Sequence, residues 1–175
     1  VKPQPCSCRW CQEGMRTQGI DPAKEDDRQL YAVWVITSLM HDMTSYISRF
    51  YRNCSIFYNG GHIVPRIHDV VQYYSHLELE SLPSGGWGYL HFPLTGRYAR
   101  KLTDEYLGMT GKFHTSWGDF HSFKSPAALQ FECFSMLAQG AACSVGDQLH
   151  PRGAIDPATY ELIGSVYSEV ERKEP

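Results

Sequence analysis

The chain has 175 residues, 42 % of them hydrophobic, 13 % aromatic and 20 % charged, with a formal net charge of −3. That balance excludes an intrinsically disordered chain, and the length suits one ordinary domain with a sizeable core. The charges are mixed, with no block of five or six of one sign, so neither a nucleic-acid surface nor a membrane-surface patch is expected. The longest apolar run, "YAVWVITSLM", falls far short of the ~18 residues that a membrane span requires.

The chain opens on "CSCRWC", a C-x-C-x-x-C run at Cys6, Cys8 and Cys11, inside a segment (1–20) that reads as a cysteine-rich loop. Three thiols this close can serve one tetrahedral zinc, which needs four ligands in a structural site, so the fourth must come from elsewhere. The alternative is three free surface thiols. Cys54, Cys133 and Cys143 lie in apolar runs, a layout unlike a secreted disulfide framework, so a reducing compartment such as the cytoplasm is expected.

Asp21-Pro22 followed by "KEDD" predicts a helix start, with a capping side chain, proline at the first position and acids near the positive end of the dipole. Leu30, Val33, Trp34, Thr37, Met40, Thr44, Ile47 and Tyr51 recur at spacings of three and four and predict one buried face. "CSIFYNGG" predicts a strand over 54–58 and "PRIHDVVQYY" a short helix. "YSHLELESLP" then predicts a strand, residues 91–102 a helix, "LGMTGKFHTSW" a strand and "SPAALQFECFSMLAQG" a helix capped by Ser125 and closed by Gly140. "AACSVGDQLHPRG" predicts the fourth strand, and Asp156-Pro157 starts the last helix. Four strands alternating with helices imply βαβ units and a parallel sheet, an α/β fold.

Glu78 and Glu80 alternate with Leu77 and Leu79, so the acids share one face of their strand. In a barrel the leucines would meet the helices and the acids the interior and its rim, where barrel enzymes gather their catalytic groups. A buried ion pair with Arg or Lys is the competing reading. Polar residues also crowd "NGGH", "KFHTSWGDF" and "GDQLHPRG", each where a strand passes into a loop. This mixture of acids, histidines, lysine, arginine and tryptophan fits a sugar site, with carboxylates for acid-base work and indoles to stack on a pyranose. The catalytic candidates are Glu80, then Glu78, then Asp119; Trp87, His114, Trp117, Asp147, His150 and Arg152 are candidates for holding sugar hydroxyls or faces. Taken singly, each also has a packing or turn-capping role open to it.

The stretches "HLELESLPSGGWGY", "GMTGKFHTSWGDF" and "CSVGDQLHPRGAIDPATYELIGSVYSEVERKEP" resemble the hypothetical glycosyl hydrolase six family, the barrel domain of bacterial proteins that also carry a β-galactosidase-type trimerisation domain. Some of its members are similar to family 151 α-L-fucosidases. "CSCRWC" is similar to the three-cysteine run of family 42 β-galactosidases, which contributes to a zinc cluster. The resemblance implies that residues 1–175 are the C-terminal half, about strands five to eight, of a (β/α)8 TIM barrel, so that the chain is a piece of a longer protein. It implies a glycoside hydrolase acting on terminal sugars, an α-L-fucoside first and a β-galactoside second, with a non-catalytic carbohydrate-binding fragment as the remaining alternative. It also implies a glycoside substrate, no organic cofactor, a possible homotrimer, and one carboxylate of the catalytic pair lying upstream of Val1, which would leave this fragment inactive by itself.

Overall fold

The computed structural model describes residues 3–173; Val1, Lys2, Glu174 and Pro175, the ends of the expected barrel fragment, lie outside the described residues. The chain divides into two compact units, one formed by the chain up to Gly60 with Val64–Ser75, the other by Gly61–Ile63 and the chain from His76 onward.

The first unit is helical. Instead of a cysteine-rich loop, residues Arg9–Thr17 form α1, with Cys8 at its N-cap and Gly19, at φ 71°, beyond its C-terminus. The Ile20 amide reaches back to the Met15 carbonyl at 2.8 Å, the long-range bond of a glycine-terminated helix. Helix α2 spans Glu25–Phe50. It starts later than Asp21-Pro22, because Asp21 accepts from the Ala23 amide at 2.9 Å and so forms a turn, leaving Glu25, Asp26 and Asp27 in the first helical turn. The expected buried face is found only in part: Met40 is buried, but Leu30, Trp34 and Tyr51 are exposed, while Tyr31 and Ala32, outside that face, are buried. Residues 54–58 form no strand; the Ile56 backbone bonds instead to Ser75, accepting from its amide at 2.9 Å and donating to its hydroxyl at 2.8 Å. The 65–74 helix is two 3-10 turns, Pro65–Asp69 and Val71–Tyr73. No helix among the described residues is long and apolar enough to cross a membrane.

The second unit carries the sheet. Its elements are β1 (Leu77–Glu80), α3 (His91–Ala99), β2 (Tyr106–Gly111), α4 (Pro126–Ala138), β3 (Ala142–Gly146) and α5 (Pro157–Glu171). The strands pair in parallel in the order β1-β2-β3, so the structure shows a mixed α/β unit with three strands rather than four. The predicted caps hold: Ser125 accepts from the Ala128 amide, Asp156 from the Ala158 amide, and Gly140 takes a φ of 80°.

Register decides which face each side chain uses. Leu79, Gly108 and Cys143 are neighbours across the sheet. A Cβ on Gly108 would press on Met136 of α4 and Phe92 of α3, and the Cys143 thiol reaches the Cys133 carbonyl of α4. That row therefore faces the helices, and Leu77 and Leu79 are fully buried there. The core continues as Leu129, Cys133, Val166 and Val170, flanked by Val145 and Leu162. The next row, Glu80, Met109 and Ser144, faces the opposite way, as does Glu78.

On the helix side β2 and α4 share a buried polar triad. Lys124 Nζ lies 2.5 Å from Glu132 Oε2 and 2.7 Å from Thr110 Oγ1, and the Thr110 hydroxyl donates to the same Glu132 oxygen at 2.6 Å. The two charged side chains are 1 % and 2 % exposed, which only a paired arrangement tolerates.

Candidate active site

The loops that follow the three strands interlock at the C-terminal edge of the sheet. The Ser84 hydroxyl, after β1, donates to the His114 carbonyl, after β2, at 2.6 Å. The Gln148 amide, after β3, donates to the carbonyls of Trp117 and Asp119 at 3.1 and 3.3 Å. This edge is where parallel α/β folds assemble their sites, because loops from several strands converge there.

On the face away from the helices, Glu80 is 8 % exposed and accepts a 2.8 Å hydrogen bond at Oε1 from the Trp117 indole. Two glycines make room for that loop. Gly111 and Gly146 are paired across β2 and β3, and a Cβ on either would overlap an aromatic ring, Phe113 at the first and Trp117 at the second. The two rings pack edge to face, with centroids 4.8 Å apart. Glu78 lies on the same face, its Oε1 3.1 Å from His76 Nε2. Neither acid points into the helical layer.

Beside Glu80 stands a chain of polar groups that sequence reasoning did not single out. Ser81 Oγ lies 3.0 Å from His91 Nδ1, and His91 Nε2 lies 3.1 Å from His62 Nδ1. Burial, then the neighbouring His62, pull His91 below the usual histidine range, against an opposing pull from Glu80. Trp87 stacks on His62 at 4.2 Å and meets His91 edge-on at 4.9 Å, so part of its ring is already covered. "NGGH" draws attention to His62 although no strand precedes it among the described residues; His91 is legible only as the histidine after a glycine-rich turn, a weak signal.

The other candidates are placed differently. Asp119 organises its own loop: its Oδ2 accepts from the Thr115 amide at 3.2 Å, the Thr115 hydroxyl at 2.6 Å and the Ser122 hydroxyl. The Ser122 hydroxyl first, then Thr115, hold its carboxyl below the usual range. The His114 side chain is exposed, and its amide donates to Ser122 at 2.9 Å. Arg152 is exposed on a turn in which its amide donates to His150 Nδ1. Asp147 and His150 line, with Asp119, Lys112, Gln148 and Thr159, a cavity of about 650 Å³ near the N-terminus of α5. Lys112 and Gln148 fall inside the polar stretches "KFHTSWGDF" and "GDQLHPRG", whereas Thr159 has no local signature, since the fold alone brings α5 to β2 and the β3 loop.

In the first unit the sulfurs of Cys6, Cys8 and Cys11 lie within 4.8 Å of one another. The Cys11 backbone amide, ahead of the neighbouring thiols, lowers the Cys8 thiol, while burial and then its neighbours push Cys11 up to about 12. Three convergent thiols fit the donor set of a four-ligand zinc site and could provide three of its ligands.

Comparison with protein-family models gives no match, and comparison with curated proteins gives none either. Among solved structures, the α-L-fucosidase isoenzyme 2 from Paenibacillus thiaminolyticus matches 98 % of this chain at 46 % sequence identity, with a TM-score of 0.90. The chain resembles part of an α-L-fucosidase. It covers 26 % of that fucosidase's chain. At this identity the likeness extends beyond the fold to the sequence itself.

Proposed function

We propose that this chain is a portion of an α-L-fucosidase-like glycoside hydrolase that cleaves terminal fucosides when the whole protein is assembled. The observation that carries the reading is the 46 % identity to an α-L-fucosidase over 98 % of the chain. In this reading the parallel sheet belongs to the C-terminal half of a (β/α)8 barrel, of the kind found in the hypothetical glycosyl hydrolase six family, with β1, β2 and β3 as strands six to eight.

Retaining glycosidases place two carboxyl groups roughly 5–5.5 Å apart, one attacking the sugar and the other exchanging a proton with the leaving group. Glu80 takes the proton-transfer role: it lies at the C-terminal end of a parallel strand, and the Trp117 indole fixes one of its oxygens. Glu78, held by His76, is the reserve, and Asp119, whose Oδ2 is committed to its loop, comes third. Trp87, His114, Trp117, Asp147, His150 and Arg152 would contact the glycoside at the same edge. The second carboxylate comes from a part of the protein outside this chain. Cys6, Cys8 and Cys11 would hold a structural zinc, with a fourth ligand from beyond the chain. A trimer is proposed on the family resemblance alone.

The test is hydrolysis of aryl α-L-fucosides and aryl β-galactosides by the full-length protein. Glu80→Gln should lower fucosidase turnover by about 10²–10⁴-fold, the usual contribution of a positioned proton donor, while the circular dichroism spectrum is retained. Near-normal turnover would remove Glu80 from the site, and a preference for galactosides would overturn the substrate.

A further inference from the structure

Helix α2 carries more apolar surface than the described residues cover, and its side chains sort into three arcs when projected down the axis at about 100° per residue. Val33, Ile36, Thr37, Met40, Thr44 and Ile47 form the packed face, each buried or half-buried. There Thr44 Oγ1 lies 2.8 Å from the Tyr58 hydroxyl and donates to the Tyr73 carbonyl at 3.0 Å. His41, Asp42, Ser45, Ser48 and Arg49 form an exposed polar arc. Between the two, Val35, Leu39, Met43, Tyr46 and Phe50 recur at spacings of four, four, three and four, which confines them to an arc of ~80°. They are 37–63 % exposed.

A helix on the surface of a globular protein needs one apolar stripe, with polar residues over the rest. On α2 the packed face and the bare stripe run together into one apolar sector about 200° wide, and only the packed part is covered. The bare part is about 22 Å long and holds no charged side chain; Asp42 and Arg49 stand along its polar border. An apolar surface that passes without a break from packed to bare has the character of a core cut in two, which belongs to permanent contacts rather than transient ones. What covers it is indicated by length. The α-L-fucosidase that is 46 % identical to this chain is matched over 26 % of its own length, so most of a protein of that kind lies outside these residues. A tethered segment acts at an effective concentration in the millimolar range, which places it ahead of a second copy or a foreign partner. Elements consecutive in the chain are usually neighbours in space, and α2 lies near the start of this one. The nearest candidate is therefore the polypeptide that precedes it.

We infer that the bare stripe of α2, from Val35 to Phe50, is an intramolecular docking surface for the polypeptide immediately upstream of Val1, whose apolar side chains complete the core that α2 begins. The upstream placement rests on the proposed reading of the chain as part of a longer protein, but not on its cleaving fucosides. The experiment is photo-crosslinking in the full-length protein, with p-benzoylphenylalanine replacing Tyr46 in one variant, Met43 in a second and Ser45 in a third. Tyr46 and Met43 are open in this chain, so the larger ring leaves the packed face untouched, and Ser45 on the polar arc is the control. Irradiation should join positions 46 and 43 to peptides upstream of Val1, read by mass spectrometry of a species that keeps the mass of a single chain, and position 45 should give no such product. A crosslinked species of doubled mass would overturn the proposal in favour of a second copy. Crosslinks confined to residues 1–175 or to a segment downstream would overturn it too, as would yields at 46 and 43 no higher than at 45. Aryl fucoside hydrolysis by the same wild-type preparation separates the two ideas: an inactive protein that gives the upstream crosslinks would sink the proposed function alone, and an active one that lacks them would sink this inference alone.

Discussion

Replacing Lys124 by Met in the full-length protein isolates the worth of the buried triad. The substitution keeps the apolar stem and deletes the ammonium, which removes a 2.5 Å contact to Glu132 and a 2.7 Å bond to Thr110. Glu132 Oε1 has no hydrogen-bond partner within normal distance among the described residues, so the carboxylate would be left with the Thr110 hydroxyl, the nearby Tyr89 phenol and, at 2 % exposure, almost no solvent. Stranding a buried charge in this way costs about 3–5 kcal/mol, a factor of hundreds to thousands in the folding equilibrium at about 1.4 kcal/mol per decade. Replacing the whole triad (Lys124→Met, Glu132→Leu and Thr110→Val) should recover most of that loss, because no polar group then remains unpaired. Urea unfolding, followed together by tryptophan fluorescence and far-ultraviolet circular dichroism, measures both, and coincidence of the two probes checks that a single transition is read. A loss below about 1 kcal/mol for Lys124→Met, or a triple variant less stable than the single one, would refute the reasoning.

Gly146→Ala should cost about 1–3 kcal/mol as an overpacking change, and should also blue- or red-shift Trp117 fluorescence as the indole leaves Glu80; an unshifted spectrum would show that the ring is held otherwise. His91 is depressed when folded, so the unfolded chain binds the extra proton first. Its contribution to stability is therefore complete above the ordinary histidine value of about 6.5 and declines as pH falls below it toward the folded value. Melting temperatures across pH 5 to 8 check this, and His91→Asn should flatten the acid side of the profile. Zinc analysis of the purified full-length protein should give one ion per chain, and Cys8→Ser should abolish it; full zinc content in that variant would exclude Cys8 as a ligand.

Legibility in the sequence followed how local each determinant is. Ser125-Pro126, Asp156-Pro157 and Gly140 act within a few residues of themselves, and the helices α4 and α5 start or end where they were expected. The alternation in "LELE" placed Glu78 and Glu80 on one face for the same reason. The apolar run at 54–58 could not reveal whether a neighbouring strand would pair with it, and none among the described residues does. Helix α1 was missed because Cys8 is an unusual cap and the thiols drew a metal-loop reading. The stripe on α2 is regular, yet Leu30 and Trp34 remain exposed, since periodicity identifies an apolar face without naming what covers it. Lys112 and Thr159, or Ser81 and His62, are brought together only by the completed topology, and no spacing in the sequence anticipates them.

The Gly111 and Gly146 pair turns an absence of side chains into a positioning device. Two adjacent strands without Cβ atoms leave a groove across the pleat, and the rings of Phe113 and Trp117 settle into it. The indole's location is thus dictated by main-chain geometry, so many substitutions in the loop 114–122 could be absorbed while Trp117 still reached Glu80. Diversification of that loop is open to this scaffold as long as the two bare positions are kept.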